Sequence, residues 1–347
     1  MTCETQCPSV DVVARPFDPP DVAVDAARAG AHLFIVGDST NKLLHMSFCN
    51  QYLPRAERCS YGCSTPMPAQ YPINAQPYLG FDTLCPECDA RGAPCCAPGT
   101  DVCCANESQF RTAVACRPRR YTSGEGSAGF LMVMGSHPTA PYFQPPPPSP
   151  GLSMYQGYDL AVDTEQRIAV ALPAFIAWAE RGKQAFRRPI VTLLNSCIWT
   201  IWKFSGRDPG FDSAAARRHD SALVREFEAD MEAMAQQVRG IYHAADHAES
   251  AECVVFQTNL QAVAFPEYVQ LASSVGLMST LNKAIVRVGE KLNIPVFDMA
   301  GAAASLSLDS TFLEDGYHPH AEVTMQTARL FKTWANEKLP SHCTMTA

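Results

Sequence analysis

Short apolar runs separated by long helical patterns recur down this chain, and that alternation constrains its fold more than any other feature. The runs are Leu33–Val36, Pro189–Leu194, Cys253–Thr258 and Ile294–Met299. They are continuous, without the polar alternation of a half-exposed strand, so each predicts a strand covered on both faces. Between Asp220 and Tyr242, Leu223, Phe227, Met231, Met234 and Val238 fall at steps of three and four, and Tyr268–Leu292 behaves alike. Such spacing predicts amphipathic helices, and Asp159–Lys183 and His320–Leu339 predict two more. Strand and helix in alternation predict a three-layer α/β/α domain around a mostly parallel, doubly wound sheet with right-handed crossovers.

The stretch 51–150 breaks this rhythm, being rich in Pro, Gly and Cys, and reads as an insertion in a domain spanning 31–347, preceded by an N-terminal extension over 1–30. Within it, Phe130–Met134 is a strand candidate for the same sheet, and the run Gln144-Pro-Pro-Pro-Pro-Ser-Pro150 is a stiff, extended spacer. Apolar residues make up 47% and charged residues 18% of the chain. The charged share is below the roughly 25% of an ordinary soluble domain, which excludes intrinsic disorder. A net charge of −8, with no basic run beyond Arg117–Arg120, argues against a nucleic-acid partner. No apolar run reaches about 18 residues, so no stable membrane insertion is expected. The first residues, MTCETQCPSV, have neither a basic nor an apolar leader region.

Three motifs fall where such a sheet puts its chemistry. Gly37-Asp38-Ser39 marks the turn from the first strand into a helix, beyond the carboxyl end of the strand, where ligands of open α/β sheets bind and where helix N–H groups are unpaired. That setting suits a Ser nucleophile, although Ser and Asp are also common N-caps. Glu314-Asp315-Gly316-Tyr317-His318-Pro319 precedes the last helix and offers a base, His318, and a carboxylate to orient it, Asp315. The loop reads equally as a turn with Asp315 bonded to main chain. Asn195, at the carboxyl end of the Pro189–Leu194 strand, lies on the same rim as Ser39 and carries an amide able to donate to an oxyanion, or simply to cap the strand. Trp199 and Trp202, three apart, suit either core packing or stacking on a sugar ring.

Taken together, Gly37-Asp38-Ser39-Thr40, Asn195-Ser196 followed by Trp199, and Asp315-Gly316-Tyr317-His318-Pro319 resemble the SGNH (GDSL-type) hydrolases. The likeness is to the PC-esterase branch, which includes trichome-birefringence-like and sialic-acid O-acetyltransferase-like domains. It covers Ala31–Asn50 and roughly Pro189–Leu339. The resemblance implies a flavodoxin-like sheet and a Ser-Asp-His enzyme with Ser39 as nucleophile, His318 as base and Asp315 as its orienter. It also implies an oxyanion hole from the Ser39 amide, Asn195 and a glycine, for which Gly135 is the best placed candidate. The implied activity is an O-acyl esterase or acyltransferase, acting on an O-acetylated glycan or a small ester, with Trp199 and Trp202 at the substrate and with no cofactor and no metal. Two rival readings stand beside it: an idle relative that binds a glycan, and a metal-bound interaction module formed by the Cys-rich segment.

The remaining signals are structural. Gly124-Glu-Gly126-Ser-Ala-Gly129 spells a dinucleotide fingerprint, but it precedes a strand instead of following one. His243 and His247 sit four apart with Asp246 between them, as on a solvated helix end. The cluster Cys85, Cys88, Cys95, Cys96, Cys103, Cys104 and Cys116 has adjacent pairs that suit disulfides better than a zinc ribbon. Cys3, Cys7, Cys59, Cys63 and Cys343 could join that set, whereas Cys197 and Cys253, beside core strands, read as free buried thiols. With the sequon Asn106-Glu-Ser108, these cysteines suggest a glycoprotein of the secretory pathway or extracellular space; the leaderless start suggests the cytoplasm instead.

Overall fold

A computed structural model describes residues 30–51, 95–96, 103–104, 113–116, 126–133, 164–179, 187–195, 200–201, 212–260, 275–302, 318–319 and 321–345. Its strands are β1 (His32–Gly37), β2 (Cys95–Cys96), β3 (Cys103–Cys104), β4 (Ala113–Cys116), β5 (Ala128–Met132), β6 (Ile190–Leu194), β7 (Val254–Gln257) and β8 (Val296–Phe297). The long helices are α1 (Ser39–Gln51), α2 (Thr164–Ala179), α3 (Ala222–Ala244), α4 (Val275–Leu292) and α5 (Ala321–Lys338). Among the described residues no helix is long and apolar enough to cross a membrane.

One sheet runs in the order β4-β5-β1-β6-β7-β8. Strands β5, β1, β6, β7 and β8 are parallel, and β4 is antiparallel to β5. Counted along the chain, the parallel strands stand in the order 2-1-3-4-5, the doubly wound, flavodoxin-like arrangement. The fold is therefore the α/β class read from the alternation. Each expected strand is present: Leu33–Val36 extends to His32–Gly37, Phe130–Met134 shifts to Ala128–Met132, and the other three are shorter, Ile294–Met299 contracting to Val296–Phe297. Strand β4 lies within the Cys-rich stretch 51–150, pairs with β5 in the main sheet, and was not anticipated. The Cys-rich stretch also contributes the ladder of β2 and β3, which sets Cys95 opposite Cys104 and Cys96 opposite Cys103.

The central strand is apolar on both sides because both sides are covered. Phe34 packs against Phe175 of α2, ring centroids 5.0 Å apart. On the opposite face, Phe130 of β5, in register with Ile35, meets His45 of α1 at 5.9 Å. Helices α2, α3 and α4 thus form one layer, with Thr192 of β6 bonded to Tyr242 of α3, and α1 and α5 form the other. Burial of Ile35 and Val36 is complete; truncating such a residue to Ala costs about 2–5 kcal/mol. Gly126 of the rejected fingerprint has a packing role: a Cβ there would lie 1.9 Å from the Ala31 carbonyl oxygen.

His32 and His45 are buried within these layers. His32 accepts the Ser127 N–H at Nδ1 (2.9 Å), and His45 donates from Nε2 to the Ala128 carbonyl (3.2 Å). Burial, then the positive charge of Arg188 and His247, lowers the His32 pKa to about 3. For His45, burial outweighs the raising effect of the Ala128 carbonyl, Lys42 adds to the lowering, and the pKa falls to about 4. Elsewhere, α3 ends at Ala244, Asp246 takes a positive φ of 59° and pairs with Arg187, and His247 is buried while His243 is exposed. The two therefore share no helix face.

The C-terminal segment corrects one expectation. Cys253 is not a free thiol: it forms a disulfide with Cys343, across a sequence separation of 90. Nothing in local spacing points to this pair. It exists because α5 runs down the sheet and delivers its following 3-10 turn, Ser341–Cys343, to the amino end of β7. There the Ala31 N–H also bonds the Thr344 carbonyl (2.8 Å).

Candidate active site

The order reverses between β1 and β6, and in doubly wound sheets the crevice beyond the carboxyl ends at such a switch point is the place for a ligand. Ser39 follows β1 and Asn195 follows β6, so both flank it. Register fixes their height: Val36 pairs with Leu194, Leu194 with Phe256, and Gln257 with Phe297, and the Asn195 N–H bonds the Val36 carbonyl at 2.9 Å. Gly37, Asn195 and Gln257 therefore lie along one edge. Since side chains alternate along a strand, and Ile35 and Phe297 face the α1–α5 layer, these positions face it too.

At the start of α1 the cap is Asp38, not Ser39. The Asp38 carboxylate accepts from the Thr40 N–H (2.9 Å) and the Thr40 hydroxyl (2.6 Å), while its carbonyl takes the Lys42 N–H (3.1 Å). This is the N-cap bonding pattern. Ser39 is thereby placed at the first helical position, among main-chain N–H groups that have no intrahelical acceptor. This tight exit requires a glycine at 37: a Cβ there would sit 2.5 Å from Cγ of Asn41.

His318 reaches the same edge by a different route. The foot of α5 is tied to the amino edge of the sheet through Cys343 and Thr344, so its head, which His318 and Pro319 precede, lies at the carboxyl edge. Phe48 of α1 and Phe331 of α5 meet at 6.2 Å. Ser39 precedes Phe48 by nine residues and Ala321 precedes Phe331 by ten; at 1.5 Å per residue these are rises of about 14 and 15 Å. The two helix starts are level and side by side. His318 is half-buried. Asp315, Gly135, Trp199 and Trp202 lie outside the described residues, as do Cys197, the 106–108 sequon and the polyproline run.

Beside Asn195, the edge carries a set of amides that sequence reading missed. Asn195 donates from Nδ2 to the Gln257 carbonyl (3.2 Å), leaving one N–H of that amide, and its Oδ1 has no hydrogen-bond partner. Both amide atoms of Asn41, Oε1 of Gln257 and both amide atoms of Asn259 are likewise buried without partners. Native proteins rarely leave such atoms unpaired, and each costs about 1–3 kcal/mol unless water or a ligand bonds it. Asn282 of α4 holds this rim in place, accepting the Asn259 N–H and donating to its carbonyl, both at 2.8 Å. A signal existed: Asn282 interrupts the buried stripe Leu277, Met278, Leu281, Ala284, Ile285 of an otherwise apolar helix face. Gln257-Thr258-Asn259 is, similarly, a polar run directly after three buried apolar residues.

The fold and this edge define a doubly wound α/β protein whose switch-point edge carries, among the described residues, the buried amides of Asn41, Asn195, Gln257 and Asn259. No protein-family model matches the chain, and no curated protein matches it. Among solved structures it is similar to a mutant of Axe2, an acetyl-xylooligosaccharide esterase from Geobacillus Stearmophilus, with 10% identity and a TM-score of 0.37, over 88% of this chain and 94% of that one. It is also similar to a protein described as a GDSL-like lipase from Parabacteroides merdae, with 11% identity and a TM-score of 0.38, over 89% of this chain and 96% of that one.

Proposed function

We propose that this chain is a serine-dependent hydrolase or transferase of O-acyl esters, working at the β1–β6 switch point. The observation that carries the reading is the level placement of the α1 and α5 starts on one face, with Ser39 at the head of one and His318 at the head of the other. His318 takes the Ser39 hydroxyl proton, with Asp315 holding the imidazole in the required tautomer. The alkoxide attacks the ester carbonyl, and the tetrahedral oxyanion is met by the first-turn amide of Ser39 and the remaining Asn195 N–H. Collapse expels the alcohol, protonated by His318, and leaves an acyl-Ser39. Water then completes a hydrolase cycle; a sugar hydroxyl completes a transfer.

The substrate class follows from the rim. Asn41, Gln257 and Asn259 offer neutral donors and acceptors of the kind that pair with hydroxyl and carbonyl groups. A neutral, hydroxyl-rich ester such as an O-acetylated carbohydrate suits them, and we carry the secretory assignment with it, since disulfides such as Cys253–Cys343 form in an oxidising compartment. The test is labelling with a fluorophosphonate probe followed by peptide mapping. A single adduct on Ser39, lost in His318→Ala, supports the reading; a folded protein that takes no adduct is a binding protein instead.

A further inference from the structure

At the edge of the sheet opposite the crevice, two dipeptides face each other. Glu252-Cys253 ends the turn before β7, where the Cys253 N–H bonds the Ser250 carbonyl (3.1 Å). His342-Cys343 lies in the 3-10 turn after α5, where the Cys343 N–H bonds the Pro340 carbonyl (2.8 Å). The two sulfurs and a ring nitrogen of His342 all lie within 4.8 Å of one another. His342 Nε2 is buried and has no hydrogen bond, and it stands 3.5 Å from Oε2 of Glu252. We propose that these residues form a redox-gated zinc site, closed as the Cys253–Cys343 disulfide and opened by reduction, with Cys253, Cys343, His342 and Glu252 as its four ligands.

The donor chemistry and spacing argue for zinc. Two thiolates, an imidazole and a carboxylate are within its ordinary ligand set, and Zn–N and Zn–O bonds of about 2.0–2.2 Å set neighbouring ligands of a tetrahedron about 3.4 Å apart. The His342–Glu252 separation already matches such an edge. On bonds of about 2.3 Å, the sulfurs need a separation of about 3.8 Å, which breaking the disulfide permits. A dithiol supplies the two electrons and two protons that convert the disulfide to two thiols and is itself oxidised to a cyclic disulfide. Zinc then displaces both thiol protons. Either linkage pins the C-terminal turn to β7, so the strap formed by the Ala31–Thr344 bond and by Asn336 with Met345 is kept in both redox states.

The full chain is reduced with dithiothreitol, desalted without oxygen, and alkylated with zinc or with EDTA. Peptide mapping reads Cys253 and Cys343 separately from the other cysteines. Zinc is expected to slow alkylation of both at least tenfold, and His342→Ala to abolish that protection while still forming the disulfide under oxidising conditions. Thermal melting of the reduced protein covers the case in which burial alone slows alkylation: zinc raises the midpoint of the native sequence and not that of His342→Ala. Equal behaviour with zinc and EDTA in both measurements, or zinc protection undiminished in His342→Ala, overturns the site.

Discussion

Asn195 is tied across the carboxyl edge of the sheet to Gln257, its Nδ2 donating to the Gln257 carbonyl at 3.2 Å. One N–H of the amide thus fixes its plane and the other is aimed by default. Asn195→Ala is expected to lower kcat for ester hydrolysis by about 10² to 10³ with little change in KM. It should also cost about 1 kcal/mol in urea unfolding, as the carbonyl loses its donor. A change confined to KM assigns Asn195 to substrate binding.

Ser39→Ala and His318→Ala each should reduce kcat by about 10⁴ to 10⁶ without altering the circular dichroism spectrum. Because such residues act as a unit, the double variant should be hardly slower than either single one. Additive losses would mean that the two act in separate steps.

Gly37 and Asn41 are predicted to be coupled. Gly37→Ala drives a methyl into the Asn41 amide and should cost about 1–3 kcal/mol, the usual range for overpacking. Asn41→Ala removes an amide that has no hydrogen-bond partner, so the double variant should recover much of the loss. A double-mutant cycle with an interaction energy below about 0.5 kcal/mol refutes the coupling.

Stability should depend on pH through His32 and His45, whose folded pKa values of about 3 and about 4 lie below the unfolded 6.5. Both are neutral in the fold. Their contribution is complete above about pH 6.5 and is lost as pH falls, because the unfolded chain then binds protons that the folded one refuses. Each group adds a slope of up to about 1.4 kcal/mol per pH unit. Urea titrations at pH 7, 6 and 5 read it directly, and His45→Gln, which keeps a donor for the Ala128 carbonyl, should show a shallower slope. Equal slopes for the variant and the native sequence would remove His45 from the account.

Residues that act through their own strand or helix were legible, and residues that act through neighbours were not. Leu33–Val36 and Pro189–Leu194 declare themselves as buried strands, and from them Ser39 and Asn195 follow as strand-end positions. Strand β4 is four residues, Ala-Val-Ala-Cys, flanked by polar sequence and paired with β5. Asn41 and Asn259 read as ordinary polar residues of a helix and a loop; their significance arises from being closed in by other segments. Cys253 and Cys343 meet only because α5 traverses the whole height of the sheet.

The bond from the Ala31 N–H to the Thr344 carbonyl joins the chain just before β1 to the turn that follows α5. On a ribosome these segments appear in the opposite order of need. Strand β1 is translated before α2, α3 and α4, yet the acceptor for the amide at its root is made only when the turn after α5 is translated. Until then the nascent chain displays a central apolar strand in a sheet whose α1–α5 layer is unfinished, a state that invites chaperone capture.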